Sequence, residues 1–221
     1  MADIELHDEV VEWLDTLPDH DWQQVVVIVD RLVEQGHQAR MPLSRSLGQG
    51  LFELRFTLGS TARRITYRFT KDSRIIPVTT FRKQRNNERH EIDPSTHRGR
   101  AVRPPVPMTD TKEETMANYS RWTDAKDKRP APSTETRAGI EQDLALGQLI
   151  YDLRTDAGLS QRQLAERMGT TQSVISRLEE GGGARNRIDT LARVATALDR
   201  HLVVSFPEKV PTKLKDAVQV A

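Results

Sequence analysis

The sequence predicts an α+β N-terminal domain, two helices plus an antiparallel sheet, followed by an all-α domain. Three observations predict it. In the first half, two helical periodicities precede three β-branched and aromatic runs divided by short turns. After a proline-rich polar stretch, only helical patterns remain. The 221 residues are 36% hydrophobic, with a mean hydropathy of −0.62, which is low for one large core and suits two small ones.

Each element follows from local pattern. Ile4–Leu6 reads as a short strand. Asp8–Thr16 carries Val10, Val11, Trp13 and Leu14 and ends before Pro18. Trp22, Val25, Val26, Val29, Leu32 and Val33 fall at i, i+3, i+4, i+7, i+10 and i+11, one face of a helix closed by Gly36. The run Val25–Val29 has strand propensity, but the spacing and the polar Gln23, Gln24, Asp30 and Arg31 favour helix. Leu51–Leu58, Arg63–Thr70 and Ile75–Phe81 are strand signals, and such short connections require antiparallel pairing in a three- or four-stranded sheet. A short helix near Arg85 is expected to stop at Pro94.

Residues 1–98 are thus expected to form the first domain. Residues 99–139 read as a linker, since Gly99–Pro107 holds three of the eleven prolines and the rest is poor in apolar periodicity. Within it, Tyr119 and Trp122 suggest that 116–128 is ordered by docking on a neighbour. Residues 140–207 are expected to form the helical domain, with 208–221 a tail. Leu144, Leu146, Leu149, Ile150 and Leu153 mark its first helix. Ser160 with Gln163 makes a capping box, and Gly169 ends that second helix. Thr170 or Thr171 caps a third helix, before Gly181–Gly183. Ile188–Leu198 is a further helix, and His201–Phe206 reads as an edge strand or strap limited by Pro207.

The formal net charge is only +1, but it is unevenly spread. Residues 1–39 hold ten acids and one base. Residues 40–103 hold fifteen Lys/Arg and five acids, 15 − 5 = +10, and residues 104–221 balance at seventeen of each. A block of +10 fits a nucleic-acid footprint and a solvated, salt-bridged surface equally well. The chain has no cysteine, so disulfides, thiolate metal sites and thiol nucleophiles are excluded. No apolar run has the length of a membrane span, and the acidic N-terminus lacks an apolar signal core. A soluble, cytoplasmic protein is expected.

The most specific pattern is Leu159–Gly181: two short helices, a glycine in the turn, and apolar residues where helices pack. It places Gln172, Ser173, Ser176 and Arg177 outward on the second helix, and Gln and Arg read base edges bidentately in the major groove. Gln161 and Arg162 open the first helix, where free N–H groups favour phosphate. Over Leu144–Leu198 the chain resembles the lambda-repressor-like (Cro and XRE) helix-turn-helix family, through Ser-Gln-x-x-Leu-Ala and Ser-Arg-Leu-Glu. The resemblance implies a dimer on palindromic operator DNA. Gln172, Ser173 and Ser176 would read bases, and Gln161 would hold phosphate and brace Gln172. Arg177 could do either, with Arg162 and Thr171 beside them. The glycine run 181–183 departs from the family. The competing reading is a plain four-helix bundle.

In the first domain, strand alternation puts Arg55, Arg64, Arg68 and the strand-end Arg82 and Lys83 on one face, opposite Leu54, Phe56, Ile65, Tyr67 and Phe69. Clustered guanidinium groups repel one another unless an anion sits among them. With its two helices, Glu-Leu-Arg at 53–55, Arg-Ile-x-Tyr at 64–67 and Thr-x-Phe-Arg-Lys at 79–83, the segment 3–92 resembles the RelE/ParE superfamily, above all its HigB-like, phage Gp49-like branch. The resemblance implies an endoribonuclease that cuts mRNA on the ribosome without metal or other cofactor. The ribose 2′-hydroxyl attacks the adjacent phosphate, and fixed cations stabilise the developing charge. Arg55, Arg64 and Lys83 are the expected catalytic residues. Phe81, Arg68, Arg82 and Arg85 would contact RNA. His90, near Glu91, is the candidate for proton transfer. His90, Glu91, Asp93 and His97 fit no metal-ligand spacing.

The order matches a toxin gene followed by its antitoxin, and Met108 or Met116 is a natural antitoxin start. A fused toxin–antitoxin pair is therefore expected, with a homodimer and contacts in cis or in trans. The acidic Asp3–Asp30 face, residues 116–140 and 201–206 are candidate contacts between its halves. The alternatives are a transcriptional repressor whose toxin-like domain is inactive and serves dimerisation or sensing, and two modules unrelated to nucleic acid.

Overall fold

The computed structural model describes residues 4–70, 74–82, 119–182 and 188–205. Strand β1 (Glu5–His7) runs into helix α1 (Asp8–Asp15), where the Glu9 N–H donates to the His7 ring nitrogen and the first turn carries two acidic residues, Asp8 and Glu9, that suit the helix dipole. Pro18 starts α2 (Asp19–Gln35), and Gly36, at φ +52°, ends it. Four strands follow: β2 (Ser44–Gly48), β3 (Leu51–Leu58), β4 (Thr61–Phe69) and β5 (Ile75–Arg82), all antiparallel in the order β2-β3-β4-β5. The three later strands stand close to the expected ranges, and β2 is the fourth.

The Val25–Val29 run is helical and buried from end to end. Its β-branched residues are tolerated because α2 packs on two sides. Val25, Val29 and Leu32 meet Leu54, Ile65 and Tyr67 of the sheet. Trp22, on the same face, lies 5.7 Å from the Trp122 ring, and on a second flank Asp30 pairs with Arg137 at 2.8 Å. Burial of both flanks outweighs a propensity difference of a few tenths of a kcal/mol per residue.

Residues 119–127, expected as linker ordered by docking, form β6 (Tyr119–Arg121) and α3 (Trp122–Asp127). β6 pairs antiparallel with β1, Leu6 opposite Ser120, and the Trp122 N–H donates to the Ile4 carbonyl at 3.0 Å. Trp122 and Ala125 are buried in the N-terminal core. Asp30 receives hydrogen bonds from Lys126 (2.9 Å), Arg137 (2.8 Å) and Trp122 (3.3 Å). Burial pulls its pKa up, but these donors outweigh burial and hold it below the ordinary carboxylate value.

Helix α4 (Thr134–Asp156) is longer than expected, starting after the Ser133 N-cap, ten residues before Leu144. It is the wall shared by both domains: Leu144 belongs to the N-terminal core, while Ile150 belongs to the second. That second core gathers Leu164, Ala165 and Met168 around α5 (Gln161–Arg167), Ile175 and Leu178 of α6 (Gln172–Glu179), and Val194 and Leu198 at α7 (Ile188–Ala197). The Ser160/Gln163 capping box forms as expected. Residues 201–205 adopt neither strand nor helix and are exposed, so the expected strap does not cover the four-stranded sheet; Phe206 lies outside the described residues. Among the described residues, no helix is long and apolar enough to cross a membrane.

Candidate nucleic-acid sites

The register of β3 and β4 builds the basic site. Arg55 pairs with Arg64 and Glu53 with Thr66, so these residues and Thr57 share the face turned away from Leu54, Phe56 and Ile65. That face was expected to be open to an anion. It is covered instead: Arg55 is 8% exposed, Arg64 1% and Thr57 0%. The cover is the C-terminal end of α6 from the helical domain.

Glu180 fills the centre. Its Oε1 accepts from Arg64 Nη2 at 2.8 Å and Arg55 Nη2 at 3.3 Å. Its Oε2 accepts from Arg64 Nη1 at 3.2 Å and the Thr57 hydroxyl at 3.1 Å. Ser176, one helical turn back, donates its hydroxyl to Oε1 at 2.9 Å. Glu53 lies behind the pair, 3.3 Å from Arg55 Nε and 3.2 Å from Arg64 Nε. Two guanidinium groups and two carboxylates thus cancel within one buried cluster. Burial lowers the Arg55 pKa; Glu180 opposes this, Arg64 adds to it and Glu53 opposes it again.

Glycine makes this approach possible. A Cβ at Gly182 would collide with the Thr57 side chain, and one at Gly147 of α4 would collide with the carbonyl oxygens of Glu179 and Leu178. Gly181, at φ +69°, lies against Leu144. Gly182, from the glycine run that departs from the helix-turn-helix pattern, is therefore where the second domain sits on the sheet, with Gly181 against α4. Arg40 adds a two-pronged pair to Asp152, at 2.8 and 3.1 Å, and Gln148 donates to the Met41 carbonyl at 3.0 Å.

The other expected residues of this site are less completely placed. Arg68, half-buried and opposite Leu51, shares the strand phase of Arg64. In β5, Phe81 pairs with Arg64 but Arg82 pairs with Arg63, whose guanidinium lies 5.6 Å over the Trp13 ring. The register thus corrects the grouping of Arg82 with Arg64, since a one-residue offset changes face. The side chains of Phe81 and Arg82 are outside the described structure, as are Lys83, Arg85, His90, Glu91, Asp93 and His97 in full.

In the helical domain, Gln172 and Ser173 are exposed at the start of α6, and Thr171 is its exposed N-cap. Gln172 Nε2 donates to Gln161 Oε1 at 2.6 Å, and Gln161 Nε2 donates to Glu179 Oε2 at 2.7 Å. Glu179, 1% exposed, is paired with Arg154 through both its oxygens. This chain holds Gln172 in one orientation. Arg162 is exposed and 3.7 Å from Glu166, while Arg177 is half-buried with Nε donating to the Ser173 carbonyl at 3.3 Å. Ser176 corrects the expectation. It is 6% exposed and serves Glu180: it follows Gln172 on the same side of α6, but one turn closer to the helix C-terminus, where that side meets the sheet.

Glu180, Thr57, Arg154 and Glu179 are not among the expected site residues, and Glu53 enters the sequence reading only as an acid of the basic segment and as part of the Glu-Leu-Arg motif. Their one visible signal was a Glu-Glu pair leading into a glycine run.

Two family models match the chain. Residues 12–98 match the family described as phage derived protein Gp49-like, and residues 150–204 match the helix-turn-helix family. No curated protein and no solved structure matches the chain. Residues 12–98 are thus similar to Gp49-like domains of the RelE/HigB toxin type and residues 150–204 to helix-turn-helix domains of the XRE type, a pairing that supports a toxin–antitoxin or regulator fusion.

Proposed function

We propose that this chain is a fused toxin–antitoxin protein: a ribosome-dependent mRNA endonuclease held latent by a DNA-binding domain that represses its own operon. The observation that carries this reading is the burial of the arginine pair of the Gp49-like sheet under the helix-turn-helix domain of the same chain. When uncovered, Arg55, Arg64 and Lys83 would stabilise the charge that develops on a phosphate. The ribose 2′-hydroxyl attacks that phosphate, forming a cyclic phosphate as the 5′-oxygen leaves with a proton. Arg68, Phe81, Arg82 and Arg85 would hold RNA, and His90 would move the proton. In the second domain Gln172, Ser173 and Arg177 would read operator bases in a homodimer, with Gln161, Arg162 and Thr171 at the phosphates.

The second reading, a repressor with an inactive toxin-like domain, is favoured by Glu53, whose carboxylate between the two arginines would repel a phosphate. Expression of residues 1–132, which keep β6 and α3 on β1 and α2, separates the two. The first reading expects growth arrest with mRNA cleavage, abolished by Arg55→Ala with Arg64→Ala. A folded, harmless fragment selects the second.

A further inference from the structure

We propose that Glu180 occupies the seat of an RNA phosphodiester, so that Arg55, Arg64 and Thr57 form an oxyanion-binding site and the helical domain silences it by lending a carboxylate. This rests on the proposed reading of the sheet as a ribonuclease surface, and the two can fail separately.

The site is built on the sheet alone. Among the described residues, the Glu180 carboxylate accepts five hydrogen bonds, four from Arg55, Arg64 and Thr57 and one, from Ser176, within the helical domain. The Arg64 fork spans both carboxylate oxygens, a geometry that fits two oxygens of a phosphate equally well. The wholly buried Thr57 hydroxyl supplies a third, neutral donor. Charge requires an occupant. Glu53 balances one guanidinium and Glu180 the other; without Glu180 the cluster keeps one uncompensated buried positive charge. A single anion is the ligand that restores neutrality. RNA and the helical domain therefore exclude each other by competing for one seat.

The test uses the full chain as wild type, Glu180→Ala, Glu180→Gln and Glu180→Ala with Arg64→Ala, each checked for native circular dichroism. Thermal unfolding is followed against inorganic phosphate, with sodium chloride at matched ionic strength. Glu180→Ala is expected to melt several degrees below wild type and to regain most of that loss, saturably, in phosphate but not in chloride. Wild type and the double variant are expected to show no saturable response. If both folded single variants ignore phosphate, or if wild type responds as strongly as they do, the oxyanion site is overturned. Phosphate rescue in the full chain, beside a folded 1–132 fragment that cleaves no RNA, would leave the site standing and sink the ribonuclease reading.

Discussion

Glu179 and Glu180 are consecutive, and their carboxylates serve different domains. Glu179 is held by Arg154 and Gln161 inside the helix-turn-helix unit, while Glu180 is held by Arg64 and Arg55 of the toxin-like sheet. One helix end thus anchors the hydrogen-bonded chain Glu179–Gln161–Gln172 and plugs the basic site. The geometry follows from the helix: Ser176 and Glu180 are one turn apart on the sheet side, and Glu179 is rotated towards α4.

Glu180→Gln should destabilise the full chain by about 3–5 kcal/mol, the usual result of leaving one partner of a buried ion pair uncompensated. Arg64→Met in the same chain should recover part of that loss, because Glu53 and Arg55 then balance. Denaturant unfolding of both single variants and the double variant measures this. Strictly additive losses would contradict it.

Gly147→Ala should destabilise although alanine favours a helix by about 1 kcal/mol over glycine. The new methyl meets backbone carbonyl oxygens of Glu179 and Leu178, which cannot rotate aside. The expected net loss is about 1–3 kcal/mol, read by thermal or denaturant unfolding; a stabilised variant would show that the α4–α6 contact is looser than described.

Acid should loosen the interdomain contacts. Asp30 and Asp152 both have pKa values below the ordinary carboxylate value: the donors of Asp30 outweigh its burial, and the hydrogen bond from Arg40 lowers Asp152. A carboxylate with a lowered folded pKa contributes stability above its unfolded value, about 3.9, and loses it as pH falls through the folded value. Asp30→Asn with Asp152→Asn should therefore flatten the fall of stability below about pH 4. Parallel curves for variant and wild type would assign the acid sensitivity elsewhere.

Gln172→Ala should weaken operator binding by about 1–3 kcal/mol, and Gln161→Ala should follow it by freeing the Gln172 side chain. Ser176→Ala should leave operator affinity unchanged and lower stability, because its hydroxyl serves Glu180. Binding titrations on the selected operator, beside unfolding curves, separate these roles. Loss of operator affinity in Ser176→Ala would return that residue to the DNA surface.

Periodicity carried much of the fold. The heptad-like spacing of Trp22–Val33 named a helix through a β-branched run, and alternation in β3 and β4 set Arg55 and Arg64 on one face. What alternation could not carry was the second layer over that face. A strand with one polar face reads as half-exposed, yet β3 is buried on both sides because charges from another domain neutralise it. The same limit applies to Ser176: helical phase separates it from the apolar stripe, and only tertiary packing decides whether that side meets DNA or protein. The reach of α4 back to Thr134 was hidden because its first two turns lean on α2 through Arg137 and Ile140 rather than through a continuous apolar stripe.

The most direct measurement of the central claim is mRNA 5′-end mapping in cells expressing the full chain with Glu180→Lys. A lysine in that seat repels Arg55 and Arg64 and should drive the helical domain off the sheet. Growth arrest with new mRNA ends is the expected result, and both are lost when Arg64→Ala is added. A folded Glu180→Lys chain that leaves growth and transcripts untouched would contradict it.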